Sequence, residues 1–248
     1  MERKCGGMNL IYLPETDSTN TWAKQNLARF GSLGAVYTTN QTAGRGRLGR
    51  RWENLPGCGL YYTAVTSLPM VQPSTLPLYA GLALADVLRR HTGAQPLLKW
   101  PNDLLLHGKK LAGILCEGAH GAWMAGCGVN LCHPAGYFAR SGLPHGTSLA
   151  LEGVAVEDGP ALAKQLAEDL SENAFGKDFA RFAAHGIAPF LDEYRASCVN
   201  LGRAVEFDGG RGIARDIDAE GRLVVDTADG AEAVFTGEVS VRGIYGKV

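Results

Sequence analysis

The sequence predicts an α+β protein in which a mixed sheet flanked by helices is followed by a small β-barrel. Up to about Arg195, apolar runs of strand length alternate with stretches of helical spacing. Beyond Ser197 the texture changes to five short apolar or alternating runs, at 204–207, 212–215, 223–226, 233–235 and 239–241, separated by Gly/Asp turns as a small barrel requires. The chain has 248 residues, 46% of them hydrophobic, which suffices for one large domain and one small one, divided at 1–196 and 197–248.

The elements follow in order. Residues 9–13 read as a strand. Asp17-Ser18-Thr19-Asn20 supplies side chains able to cap a helix start, and Trp22, Ala23, Leu27 and Phe30 continue at near-helical spacing to Gly31, a helix-ending glycine. Residues 35–39 form the next strand and run into a polar, glycine-rich stretch at 40–59. A strand at 59–65 precedes a helix at 76–91 closed by Gly93. Residues 103–106 and 110–115 flank His107-Gly108 as a hairpin, and 123–129 extends the sheet. A helix starts at Asp158-Gly159-Pro160, where an acid cap and a first-turn proline fit, and Leu162, Leu166, Leu170, Phe175, Phe179, Phe182 and Phe190 carry helical character to about Arg195.

Composition excludes several functions. With 24 Lys+Arg against 25 Asp+Glu the formal net charge is −1, so the surface as a whole is not built for nucleic acid or anionic lipid. Any cationic chemistry is local. No apolar run approaches the ~20 residues of a membrane helix, and the first residues lead into no signal peptide, which makes the cytoplasm the expected compartment. Six scattered cysteines without a C-x-x-C pair read as reduced thiols. Cys127, Cys132 and His133 lack the fourth ligand of a structural zinc.

The local cationic chemistry is easily found. Between Asp17 and Glu53 there is no acidic residue, yet Lys24, Arg29, Arg45, Arg47, Arg50 and Arg51 lie there, four of these cations within seven residues. In Gly44-Arg45-Gly46-Arg47-Leu48-Gly49-Arg50-Arg51-Trp52, glycines let backbone N–H groups approach an anion and guanidiniums offer bidentate bonds to carboxylate or phosphate. Composition alone leaves a solvated basic loop as the alternative. The glycines also satisfy G-x-G-x-x-G, but no apolar helix follows them and no strand ends in an acid about 20 residues on, as a dinucleotide site would need. No G-K-[ST] loop occurs.

A second constellation is Lys99-Trp100-Pro101-Asn102-Asp103, followed by Lys109-Lys110-Leu111-Ala112-Gly113-Ile114. Asn102 and Asp103 enter one strand while Lys110 enters the facing one, so lysine and carboxylate can meet at one end of the sheet, as a phosphate-and-magnesium site requires. An ordinary turn with surface lysines is the other reading. Gly126-Cys127-Gly128-Val129-Asn130 adds glycines beside a strand end and an asparagine able to read an amide-bearing ligand.

With Ser18-Thr19-Asn20 and Gln41-Thr42-Ala43 these strings, in this order, resemble the biotin protein ligases over roughly residues 9–245. The resemblance implies a class II aminoacyl-tRNA synthetase-like catalytic domain with a C-terminal Src-homology-3-like barrel. It implies an enzyme that uses ATP and Mg2+ to convert biotin to biotinyl-adenylate and then passes biotin to a lysine of a biotin carboxyl carrier protein. Ser18, Thr19, Asn20 and Gln41 are then implied to hold the ureido end of biotin. Gly44, Arg45, Arg47 and Lys110 would meet its carboxylate and the α-phosphate, with Arg45, Arg47 and Lys110 catalytic. Arg47, Arg50, Trp52, Asn102 and Asn130 would contact the nucleotide, Trp52 covering the adenine and Asn130 reading its edge, and Asp103 would attend the magnesium. The catalytic fold begins by Asn9, so the resemblance is to the form without a DNA-reading domain; no DNA or membrane partner is expected, and a homodimer is compatible with it. A lipoate ligase of the same fold and a non-catalytic phosphate-binding module are the rival readings.

Overall fold

The computed structural model describes residues 2–235 and 239–244. Met1, 236–238 and 245–248, the last two groups within the span assigned to the barrel, lie outside the described residues. The larger unit contains strands β1 (Glu2–Cys5), β2 (Met8–Tyr12), β3 (Leu33–Thr38), β4 (Gly59–Thr66), β5 (Leu97–Lys99), β6 (Asp103–Leu106), β7 (Lys109–Ala119) and β8 (Ala122–Asn130). Its helices are α1 (Thr19–Gln25), α2 (Leu76–Thr92), the single turn α3 (Tyr137–Arg140), α4 (Gly159–Asp169), α5 (Phe179–His185) and α6 (Leu191–Ser197). The strands form one sheet in the order β1-β2-β3-β4-β8-β7-β6-β5. It is mixed as expected: β2 and β3 run parallel and every other neighbouring pair antiparallel.

Because residues paired across antiparallel strands share a face, register decides what each side of the sheet does. On one face Leu60, Tyr62 and Ala64 of β4, Ala125, Cys127 and Val129 of β8, and Ala112 and Ile114 of β7 enter the main core. Helix α2 supplies the other half of that core, with Leu78, Tyr79, Leu82, Leu84, Val87 and Leu88 all buried. Tyr79 stacks on Phe182 with centroids 4.5 Å apart and meets Phe175, Phe179 and Phe190 edge-on. On the opposite face α1 covers only one end, where Ala23 and Phe30 pack with Ile11, Val36, Val65 and Met124. The rest of that face carries Tyr61, Thr63, Gly113, Leu115, Glu117, Gly126 and Gly128 and is left for a cavity.

Several elements differ from the sequence reading. Strands β1 and β5, of four and three residues, were too short to show a pattern. The first helix ends at Gln25, and a 3-10 turn at Leu27–Arg29 completes the span to Phe30. It begins at Thr19, and the Ser18 side chain makes no cap bond. The long helical stretch after Gly159 is several pieces: α4 opens into a π-helical segment at Leu170–Asp178, and α5 stops at Gly186, whose φ of 62° lies in the left-handed region. The aromatic spacing survives because these wide turns still point Phe175 and Phe179 at Tyr79. The expected starts at Gly59, Leu76 and Asp103 hold, and the hairpin turns at His107 (φ 48°) and Gly108 (φ 76°), as a type I′ connection demands.

The smaller unit is an antiparallel sheet of β9 (Ala204–Phe207), β10 (Gly210–Ile217), β11 (Leu223–Thr227), β12 (Gly230–Val234) and β13 (Ser240–Val241), in the order β12-β11-β10-β9-β13. It is fastened to the larger unit by specific bonds. Trp100, fully buried, donates through Nε1 to the Gly221 carbonyl at 3.0 Å, and its backbone N–H donates to Asn200 Oδ1 at 2.8 Å. Arg195 donates to the Ile217 carbonyl at 2.7 Å and pairs with Asp216. Trp100 belongs to the Lys99–Asp103 string, so the seam between units adjoins one of the two chemical motifs.

Candidate functional site

The uncovered part of the sheet floors a cavity of about 400 Å³. Its walls include the Ser18–Asn20 turn, the arginine loop, the Lys99–Asp103 string, Lys110, the 142–146 segment, and Val239, Ser240, Val241 and Ile244 of the smaller unit. At three positions on the floor a side chain would force a neighbour to shift. A Cβ on Gly126 would lie 2.4 Å from Asn20 Oδ1, and Cβ atoms on Gly113 and Gly128 would lie 2.8 and 2.9 Å from the Trp52 indole. Trp52 therefore lies flat across β7 and β8. Gly128→Ala is expected to cost about 1–3 kcal/mol, the usual size for overpacking a well-filled site, read as a lower denaturant midpoint with an unchanged slope.

At one end the cavity is polar, neutral and buried. Gln41 Oε1 accepts from the Thr19 backbone N–H at 2.8 Å and from Thr19 Oγ1 at 3.1 Å. Thr63 Oγ1 lies 2.8 Å from Thr19 Oγ1 and 2.7 Å from Asn20 Oδ1. Asn20 Nδ2 donates to the Leu115 carbonyl and to Glu117 Oε2, at 3.1 and 2.8 Å. The four residues Ser18, Thr19, Asn20 and Gln41 are brought together here, each under 9% exposed. Thr63 and Glu117 back them without lining the cavity themselves. Glu117 also accepts from Lys24 Nζ at 2.6 Å and pairs with Arg45 Nη1 at 3.3 Å. Burial alone would raise its carboxyl, but hydrogen bonds from Lys24 and Asn20 and the charges of Lys24 and Arg45 hold it below the usual carboxylate range.

The arginine loop is folded back on itself. Gly46 N–H donates to the Arg50 carbonyl at 2.8 Å, Trp52 N–H to the Gly44 carbonyl at 3.0 Å, and Arg50 N–H to the Arg47 carbonyl at 3.1 Å. At its tip Leu48 takes a left-handed φ of 56° and stands 71% exposed, with Gly49 also left-handed at 73°. Arg47 reaches across the cavity mouth, its Nη1 donating to Asn102 Oδ1 at 2.7 Å. Asn102 is fixed in turn, donating through Nδ2 to the Ile114 carbonyl and accepting at its own carbonyl from Ile114 N–H. The loop and the Lys99–Asp103 string thus form one structure, and Arg50 and Trp52 line the same space.

Across from the loop, the pairing of β6 with β7 brings Lys110 Nζ to 2.7 Å from Asp103 Oδ1. Both are partly buried, and the ammonium lies 5.5 Å from the Trp52 ring centroid, within cation–π range. Asn130 sits at the end of β8 and donates through Nδ2 to the Thr147 carbonyl at 2.9 Å.

The segment from Cys132 to His145, in which the sequence showed no motif, forms the wall beside Asn130. Lys110 N–H donates to the His145 carbonyl and Thr147 N–H to the Lys110 carbonyl, both at 2.8 Å, so this segment is zipped to the strand bearing the lysine. Glu152 secures it, accepting from Thr147 and Lys109. The indole Nε1 of Trp52, the hydroxyls of Tyr61 and Tyr137 and both ring nitrogens of His133 are buried with no hydrogen-bond partner among the described residues. Burial pushes the His133 imidazole down to about 4, so it is neutral at pH 7. No group of three or more His, Cys, Asp or Glu is placed to hold a metal among the described residues.

Sequence reasoning missed Thr63, Glu117 and Tyr61. No local motif marks them: their shared face emerges only when Gly126 and Gly128 of β8 are set beside Gly113 of β7 and beside Tyr61 and Thr63 of β4.

A sheet whose glycine face carries a polar recess, an arginine loop and a lysine–carboxylate pair, with a five-stranded C-terminal sheet, is shared with a known class of protein ligases. The Biotin/lipoate A/B protein ligase family matches residues 12–131, and the Biotin protein ligase C terminal domain matches 201–242. The chain belongs to the biotin protein ligase family. It is 34% identical to the biotin–[acetyl-CoA-carboxylase] ligase of Mycobacterium tuberculosis, over 94% of this chain and 89% of that one. It is 30% identical to the bifunctional ligase/repressor BirA of Escherichia coli, over 95% of this chain and 75% of that one. Among solved structures it is similar to the biotin protein ligase of Aquifex aeolicus in complex with biotin and ATP, at 28% identity and a TM-score of 0.76, covering 94% of this chain and 98% of that one. No helix of the described residues is long and apolar enough to cross a membrane.

Proposed function

We propose that this chain activates biotin with ATP and transfers it to a lysine of a carboxylase's carrier protein. The observation that carries the proposal is the convergence on one cavity of a neutral polar recess, four arginines from a single loop and the Lys110–Asp103 pair. The curated relatives named for biotin ligation, and the Aquifex aeolicus structure holding biotin and ATP, support it.

The residues divide by chemistry. The ureido ring is neutral, with two N–H donors and one carbonyl acceptor, and Ser18, Thr19, Asn20 and Gln41, with Thr63, offer matching hydroxyls and amides in a buried recess. A carboxylate leaving that recess along the glycine floor meets Arg45 and Arg47, with the buried Gly44 next to Arg45 in the loop. In the first step a biotin carboxylate oxygen attacks the α-phosphorus of ATP and pyrophosphate departs. In the second a carrier lysine amine, having lost its proton, attacks the acyl carbon and AMP departs. Neither step needs an enzyme nucleophile. What the first needs is relief of repulsion between two anions, which Lys110, Arg45 and Arg47 supply as fixed cations.

For the nucleotide, the proposal places the purine against Trp52 and near Asn130, with Arg47, Arg50 and Asn102 at the phosphates. The orphaned polar atoms of Trp52, Tyr61 and Tyr137 cluster on that side and suit a base and ribose that bring their own donors and acceptors. Magnesium entering with the triphosphate takes one or two protein carboxylates and keeps its other ligands from phosphate and water, so Asp103 at the cavity wall, with no metal-holding cluster among the described residues, fits a substrate-borne ion. Its charge would further neutralise the phosphates.

The test is pyrophosphate release from purified protein with MgATP and either biotin or lipoate. Biotin-dependent release is expected. Release with lipoate and none with biotin would reassign the substrate, and release with neither would leave only a phosphate-binding site.

A further inference from the structure

We infer that Glu117 is a positioning residue that ties the biotin recess to the arginine loop, and that it acts on the reaction through Arg45. This rests on the assignment of Arg45 to the biotin carboxylate and phosphate in the proposed function. Glu117 lies on the glycine face of β7, opposite Met124 and two residues past Leu115, in contact with Asn20 of the recess and Arg45 of the loop. Its side chain is 17% exposed and its two oxygens serve three partners from two segments, α1 and the arginine loop: Asn20 Nδ2 on one oxygen, Lys24 Nζ and Arg45 Nη1 on the other.

Each contact has a consequence at the site. With Nδ2 of Asn20 held by Glu117 and the Leu115 carbonyl, Oδ1 is turned toward Thr63 and the recess, and the amide cannot flip without losing both bonds. The pair with Glu117 fixes the side chain of Arg45, which is 49% exposed. Lys24 supplies a second cation to the same oxygen, so a loop crowded with positive charge has an anion within it before any ligand arrives. An incoming carboxylate or phosphate therefore finds Arg45 already at the seam between recess and loop, and the ordering cost is met by the protein fold.

The experiment is a double-mutant cycle on Glu117→Gln and Arg45→Ala, reading biotin KM, kcat for adenylate formation and thermal midpoint. Glutamine keeps shape and one acceptor but cannot pair with both cations. Glu117→Gln is expected to raise biotin KM about tenfold, the size of one lost charge-assisted bond, with a smaller change in kcat. In the Arg45→Ala background the same substitution is expected to have little further effect, because the pathway through Arg45 is already cut. Additive effects in the cycle, or a fall in thermal midpoint with KM unchanged, would make Glu117 a purely structural ion-pair partner and overturn the inference. If Arg45→Ala itself left biotin KM and kcat untouched, the assignment of Arg45 would fail instead, which separates the two outcomes.

Discussion

Lys110→Ala is expected to lower the rate of biotinyl-adenylate formation by about 10²–10³, the scale seen when one fixed charge-stabilising donor is removed from a transition state. Biotin affinity measured without ATP should change little, since the ammonium stands on the far side of the floor from the Ser18–Asn20 recess. The reason is geometric. Lys110 is held by Asp103 at 2.7 Å and by the pairing of its own backbone with the 145–147 segment, so its charge is fixed before ATP arrives. Charge that develops on the α-phosphate in the transition state is then met without reorganisation. Pre-steady-state rates for adenylate formation beside calorimetric biotin binding give the required split. Equal losses in both would show that the residue supports the biotin recess and not the phosphate.

Arg47→Gly is expected to have its largest effect on retention of the intermediate. Arg47 is the loop's bridge to Asn102, which is itself bonded to β7. Replacing it removes that bridge and adds backbone freedom beside a tip already containing left-handed Leu48 and Gly49. The loop then covers the cavity less firmly, and preformed biotinyl-adenylate should leave faster by about tenfold or more, the value of one charge-assisted contact. A chase with unlabelled biotin reports this off-rate, and protease cutting between Gly44 and Arg51, with and without ligands, reports loop order. An off-rate equal to that of the parent chain would reduce Arg47 to a solvated charge.

How much of this could be read from the chain depends on the range of the interactions involved. Helix α2 was legible because Gly93 ends it locally, and the 103–115 hairpin because His107-Gly108 carries its own turn signal. The Lys110–Asp103 pair followed from that hairpin's register. The residues forming the recess were named through a resemblance to a family, and the structure brings Ser18, Thr19, Asn20 and Gln41 together in one buried cluster. Glu117 and Thr63 were not legible, because each is an ordinary strand residue until β4, β7 and β8 are laid side by side. The break in the helical stretch after α4 was hidden for the opposite reason: the aromatic spacing satisfies a helix, and the wide turn is accompanied by contacts distant in sequence, such as Gly176 against Gly6 and Ser171 bonded to Tyr62. The segment from Cys132 to His145 carries no motif, and it acquires meaning only through its backbone bonds to Lys110.

The central claim is that one cavity holds biotin and ATP together and makes biotinyl-adenylate there. Native mass spectrometry of the protein after incubation with biotin and MgATP tests it directly. The predicted result is a retained mass equal to biotinyl-adenylate, absent when either substrate is left out and discharged as biotin onto added carrier protein. Binding of biotin and ATP without any such mass, under conditions where both are held, would contradict it.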